Sequence, residues 1–284
     1  MDSIQQAFIT AKNIYDKGGC PAQEIKDICV LCIGKIGNLN STPQGSLGPK
    51  AYTVIKANNE ISRPFLPIHF IASGATFASR WDEVIKNIDG SSRKIKCNTD
   101  VVNDVLYTAI MSFALCYDIF QKTSRKTPGT FFEVILGTII SLLLPDYSRI
   151  KHIKISDDGE TISTDIVFDA IDRVKLVIPA KITTRERIVQ PYAHQKILDS
   201  VFGIGKYKSV LICVSEIQRD KDIGVNDICV PGTIALYQTH LAALTAIYYL
   251  DPPMRYLDRT VCDLVPVKRL AELLCFDLPS VINS

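Results

Sequence analysis

Asp165 and Lys181 are the residues whose types and spacing point to chemistry. They fall in two strand-like runs, residues 162–169 and 175–182, joined by a turn near residues 170–173. Short apolar runs bounded by turn residues read as β-strands. An antiparallel fold-back sets Asp165 roughly opposite Ile178 and Pro179, with Lys181 at a neighbouring strand position. A carboxylate can hold a divalent cation, and an amine beside it supplies positive charge and protons. With the charges of Arg185, Glu186 and Arg187 next to them, these are the minimum parts for holding a divalent metal against a phosphate. Taken singly, Asp165 reads as an exposed strand aspartate and Lys181 as a lysine stretching its stem along apolar surface. The pair across one hairpin is what points to catalysis.

The surrounding elements must position that pair. A helix-like run at residues 190–201 follows the hairpin. His194 in it reads as a packing or phosphate-contacting residue. Upstream, residues 131–144 (FFEVILGTIISLLL) are the most apolar stretch and end at Pro145. The run is too short to span a membrane comfortably, so it reads as a buried helix. Glu133 near its start is a charge on a buried element, which needs a partner or a metal. Just before it come Ser124, Arg125, Lys126 and Thr127. Basic and hydroxyl side chains at a helix N-terminus suit a phosphate backbone. Residues 149–156 form a strand and residues 157–160 a turn. The order is then helix, strand, strand, strand, helix, strand, the last strand being residues 209–216. Pro145-Asp146 supplies a competing acid. It ends a helix, and a full strand still separates it from the hairpin.

The order of strand with Asp, turn, strand with Lys, then helix resembles the nuclease core of the PD-(D/E)xK superfamily, and more specifically a type II restriction endonuclease. The tract IPAKITTRERIVQPYAHQKIL is similar to a block in several such enzymes, where a lysine precedes a Ser/Thr-Arg-Glu-Arg run. The tract SRKTPGTFFE is similar to basic-Gly-x-x-x-Glu segments that open a helix in many of them. The matches cover about residues 124–251. The resemblance implies an α/β fold: a mixed central β-sheet flanked by helices, with a mostly helical N-terminal part. It also implies Mg²⁺-dependent, sequence-specific cleavage of double-stranded DNA that leaves 5′-phosphate ends. Asp165, Lys181, Glu133 and Glu186 are the implied catalytic residues. Asp165, Glu133 and the carbonyl of Ala180 are the implied metal ligands. Ser124, Arg125, Lys126, Thr127, Arg185 and Arg187 are the implied DNA contacts. A homodimer reading a palindrome and a cognate DNA methyltransferase as genetic partner follow from the same resemblance. One position departs from the pattern: Pro179 stands where the family has Asp or Glu. Glu133 or Glu186 is the substitute acid.

The 284-residue chain is long enough for a substantial core, and 47% hydrophobic with 22% charged residues is ordinary for a globular protein. A net charge of +2 gives no global field for nucleic acid, so DNA contact needs local basic patches. The nine cysteines are odd in number and mostly sit in apolar runs, as reduced thiols of a cytoplasmic protein do. Cys29 and Cys32 form a CxxC among apolar neighbours and read as core. The N-terminus shows no signal peptide, and no membrane association is expected. Residues 1–97 read as a helical region that contacts DNA or dimerises, and residues 98–284 as the catalytic domain. Residues 38–50 and 218–226 read as loops, the basic loop 90–96 as a further DNA contact, residues 233–250 as an amphipathic helix, and residues 267–275 as one more. Two other readings share these features: a repair or recombination nuclease of low specificity, and a non-catalytic DNA-binding protein on a degenerate nuclease fold.

Overall fold

Ile4, Phe8, Ala11 and Tyr15 recur at helical spacing and are the buried residues of the first helix, α1 (Asp2–Asp16). The same logic sets α2 (Ala22–Ile36), which buries Ile25, Ile28, Cys29, Cys32, Ile33 and Ile36. The computed structural model describes the chain apart from Asn58, residues 122–125, Asp157, Ile223 and Ser284, and apart from the side chains of Arg185 and Glu186. The chain forms two compact units. One comprises Met1–Ile88, Lys96–Ile139 and Ile217–Ile228; the other comprises Asp89–Ile95, Ile140–Glu216 and Cys229–Ser284.

After α2 come β1 (Asn40–Leu47), β2 (Lys50–Ala57) and β3 (Glu60–Ile61), which pair as an antiparallel sheet in that order. Next are α3 (Gly74–Lys86), the two-residue strands β4 (Ile88–Asp89) and β5 (Lys94–Ile95), α4 (Thr99–Phe120) and α5 (Thr127–Leu143). The side chain of Asn98 caps α4 by accepting from the Asp100 and Val101 amides. α4 is buried over most of its length, as a helix at the centre of a helical unit must be. Cys29 and Cys32 are fully buried, and their thiols contact α4: the Cys29 thiol donates to the Ala109 carbonyl. Burial pushes both thiols far up from their ordinary pKa, so this CxxC is packing.

The second unit holds the large sheet. Its strands are β6 (Ser148–Lys154), β7 (Thr161–Asp169), β8 (Lys175–Ile178), β9 (Ala180–Lys181) and, after α6 (Val189–Phe202), β10 (Tyr207–Cys213). The hairpin of β11 (Ile217–Asp220) and β12 (Gly224–Asp227) belongs to the first unit. The chain then gives α7 (Pro231–His240), β13 (Ala246–Tyr249), α8 (Arg259–Cys262), β14 (Val267–Arg269), α9 (Leu270–Glu272) and α10 (Leu278–Asn283). The strand order is β14-β13-β10-β8-β7-β6, with β9 also on β10. β7 runs antiparallel to its neighbours β6 and β8, while β8, β9, β10, β13 and β14 are parallel. The sheet is therefore mixed, and successive side chains face opposite layers. Leu211, Ile247 and Tyr249 pack with Tyr192 of α6, Ile234 of α7 and Val261 of α8. Tyr248 faces the other way, and its hydroxyl donates to Asp277 ahead of α10.

Four segments differ from their sequence reading. Residues 38–50 contain β1, a largely exposed polar strand. Its hairpin to β2 turns at Gly48, with φ +58°, and a register shift absorbs Pro43, which has no amide to donate. Residues 218–226 belong to the β11–β12 hairpin, closed near Gly224 at φ +84°. Both are strands because a partner is in place, not because of their own pattern. In residues 233–250 the helix stops at His240 and the apolar run AIYY is β13; a short apolar run fits either structure until its neighbours are known. Residues 267–275 likewise open as β14 before turning helical. Among the described residues no helix is long and apolar enough to cross a membrane.

Candidate active site

The site is built where β7 and β8 part. Their pairing sets Phe168 opposite Leu176, Val167 opposite Val177 and Ile166 opposite Ile178. The antiparallel ladder stops there, and the next residue, Pro179, has its carbonyl bonded to Ile212, so the amide it lacks lies on the β10 side and parts β8 from β9 along β10. Ala180 and Lys181 resume as β9, now paired with Ile212 and Cys213 of β10. On its other side β7 bulges: Ile150 faces Val167, but His152 faces Ser163. The extra residues of β7 include Asp165. A bulge turns a side chain out of the regular pleat.

Asp165 therefore reaches across the gap. Its Oδ2 accepts from the Ala180 amide at 2.8 Å and from Lys181 Nζ at 2.8 Å. The Lys181 and Asp165 side chains are 14% and 22% exposed, open to a ligand yet screened on most sides. Among the described contacts both hydrogen bonds fall on Oδ2, leaving Oδ1 with lone pairs to offer. The N–H and C=O of one strand residue face the same side. The Ala180 carbonyl thus faces Asp165, while the carbonyls of Pro179 and Lys181 bond to β10. One carboxylate oxygen and one backbone carbonyl are suitable partial ligands for Mg²⁺, which keeps several waters and takes few protein ligands. Among the described residues no group of three or more His, Cys, Asp or Glu side chains is arranged to hold a metal ion.

His194 of α6 is close enough for its charge to be felt by this pair. Burial lowers its pKa from the ordinary 6.5, the Lys181 ammonium lowers it further, and Asp165 opposes both. The folded state thus disfavours the imidazolium. Stability from this group is present above pH 6.5 and is lost as the pH falls through the window between 6.5 and the lower folded pKa. An NMR titration, with His194→Gln to assign the resonance, should place His194 below 6.5; a midpoint above that value would contradict the geometry.

Glu133 is half-buried on α5 in the first unit. Lys126 is exposed immediately before α5, and Thr127 is the first residue of that helix. Ser124 and Arg125 lie outside the described residues, as do the side chains of Arg185 and Glu186. Arg187 is exposed in the 3₁₀ turn Arg185–Ile188 that follows the site. Asp146, the competing acid, is occupied: its carboxylate accepts from Arg93 at 2.9 Å and from Arg173. Burial tends to raise its pKa, but the two guanidinium groups prevail and hold it below the usual carboxylate value. Arg93 of the basic loop is thereby held by Asp146, with its guanidinium 5.6 Å from the Tyr147 ring centroid.

One functional candidate escaped the sequence reading. Glu216, taken there as the end of a strand, is fully buried, and its carboxylate accepts from the Thr184 amide and hydroxyl. The available signal was a carboxylate closing an otherwise apolar run, where burial demands donors.

The mixed sheet flanked by helices is a restriction-endonuclease fold. A solved structure places the chain within it: the type IIP restriction endonuclease Kpn2I is 36% identical, with a TM-score of 0.86 over 99% of this chain and 97% of that one. This chain belongs to the type II restriction endonucleases. The restriction endonuclease PspGI, solved in complex with substrate DNA, shows a fainter likeness: 14% identity and a TM-score of 0.43 over 71% of this chain and 87% of that one. No protein-family model matches the chain, and no curated protein sequence matches it.

Proposed function

We propose that the chain is a Mg²⁺-dependent, sequence-specific endonuclease that hydrolyses both strands of duplex DNA. The observation that carries this reading is the contact of Lys181 Nζ with Asp165 Oδ2 at 2.8 Å, beside the inward-facing carbonyl of Ala180. Asp165 and the Ala180 carbonyl would hold the cation, with Glu133 or Glu186 supplying the acid that Pro179 cannot. When bound, Mg²⁺ would polarise the scissile phosphate and lower the pKa of water. Lys181, released in part from Asp165, would orient or deprotonate the attacking water and offset the charge that grows on the phosphate oxygens. Water oxygen bonds to phosphorus, the P–O3′ bond breaks, and the products are a 5′-phosphate and a 3′-hydroxyl. Ser124, Arg125, Lys126, Thr127, Arg185 and Arg187 would bind DNA, the phosphate contacts fixing register and the base contacts specificity. Residues 98–284 would carry the catalytic machinery and residues 1–97 would add DNA contact or dimerisation. The protein would act in the cytoplasm as a homodimer on a palindrome, beside a methyltransferase that protects the same site.

Purified protein should cut long unmethylated DNA into discrete bands with Mg²⁺ and leave it intact with EDTA. Pro179 in place of a carboxylate favours one second reading, DNA binding without cleavage. Tight binding with intact DNA in both Mg²⁺ and Mn²⁺ would select it.

A further inference from the structure

Lys181 and the Arg185–Ile188 turn are joined by Ile182, Thr183 and Thr184. This short connection is zipped to the end of β10. Val214 N–H donates to the Lys181 carbonyl at 3.0 Å and Ser215 N–H to the Ile182 carbonyl at 3.1 Å. Two residues on, a side chain continues the pairing with donor and acceptor reversed. The Glu216 carboxylate takes the Thr184 amide on both oxygens, at 3.0 Å each, and the Thr184 hydroxyl at 2.6 Å. The Tyr249 hydroxyl at the end of β13 donates to the same carboxylate at 3.0 Å. Thr184 is the residue on which the 3₁₀ turn begins. Glu216 is fully buried and Thr184 is 1% exposed.

We propose that Glu216 is a positioning residue for DNA recognition. It fixes the point and direction at which the Arg185–Arg187 backbone leaves the sheet, through the buried Glu216–Thr184 clamp braced by Tyr249. This rests on the nuclease reading and deepens it. A carboxylate suits the task because two acceptor oxygens receive one amide and two hydroxyls, and charge-assisted hydrogen bonds are short and directional. An amide at this position turns one acceptor into a donor that faces the Thr184 N–H, so the anchor slips although the volume is unchanged. The Lys181 strand keeps its own ladder bonds to β10. The expected defect is therefore in recognition of the site more than in the chemical step.

The test uses Glu216→Gln in the full chain, with Tyr249→Phe and Thr184→Val as milder variants. Affinity is measured in EDTA on two probes: a duplex carrying the cut site mapped from the wild-type digest, and a duplex of equal length without it. Glu216→Gln should weaken binding to the mapped site by about 10- to 100-fold, the scale of losing well-placed base contacts, and leave the other duplex within about threefold. KM should rise more than kcat falls, and trypsin should cut faster after Arg187. The milder variants should move the same readouts in the same direction by less. A folded Glu216→Gln with wild-type affinity for the mapped site overturns the proposal. Should that variant fail to fold, unchanged site affinity in both milder variants overturns it equally. A wild-type protein that neither cuts nor discriminates between the duplexes would bring down the nuclease reading itself, a result separable from a wild type that cuts and variants that match it.

Discussion

Lys181→Ala is expected to abolish visible DNA cleavage, a loss on the order of 10²- to 10⁴-fold in kcat, the range spanned by a positioned proton-transfer group. The side chain sits against Asp165 at 2.8 Å with little exposure. Lys181→Arg should not restore the rate, because a planar guanidinium has different reach and geometry from an ammonium. Asp165→Asn should fail as well, but for a different reason, since it removes charge from the proposed cation site. Raising Mg²⁺ should therefore recover part of the Asp165→Asn loss and none of the Lys181→Ala loss. DNA binding in EDTA should survive in Lys181→Ala. Single-turnover rates across a Mg²⁺ series separate the cases. Wild-type cleavage by Lys181→Ala would remove this site from consideration while leaving the family assignment intact.

The largest stability effect from a small change is expected at Gly137. It lies inside α5, where alanine is favoured over glycine by about 1 kcal/mol on helix propensity alone. Here propensity loses. A Cβ at Gly137 would fall 2.0 Å from the Tyr15 hydroxyl and 2.6 Å from its ring, and both residues are buried. Overpacking a filled core costs about 1–3 kcal/mol and sometimes more, so Gly137→Ala should destabilise despite the propensity gain. Thermal melting should show a lower Tm, by about 2–4 °C for each kcal/mol. Combining Gly137→Ala with Tyr15→Leu should recover much of the loss, because the two changes act on one space and are not additive. A Tm at or above wild type for Gly137→Ala would mean that α1 and α5 adjust more freely than their packing suggests.

Much of the architecture could be read from the chain because its signals are local. α1 and α2 announce themselves by apolar spacing, and the β7–β8 hairpin by two strand runs around a turn. That hairpin is also why the sequence pairs Asp165 with Lys181. Two features of the site were not legible. The β7 bulge exists only relative to β6, and the anchoring of Thr184 by Glu216 joins residues that are distant in sequence. β1 and the β11–β12 hairpin were missed for a similar reason: polar strands are specified by the neighbour they pair with. AIYY at β13 was misread because four apolar residues carry no period of their own. The meaning of Pro179 became plain only with the sheet. It stands where the resembled pattern has a carboxylate and it interrupts the pairing with β10, while on the β7 side the Asp165 side chain takes the Ala180 amide in place of a backbone carbonyl.

The order in which the two units are threaded constrains how this chain comes off the ribosome. The first unit is not complete until residues 217–228 have been made, since Gln44 on β1 bonds to the Gly224 carbonyl through its side chain at 3.0 Å. By then the second unit has its stretch up to Glu216 but still lacks β13 and β14. Neither half is finished when the other begins, so N-terminal-first folding of independent domains is closed to it. A polypeptide interrupted before β11 carries Asp165 and Lys181 yet has neither unit whole. Completion of both units is thereby tied to synthesis of the chain through β14.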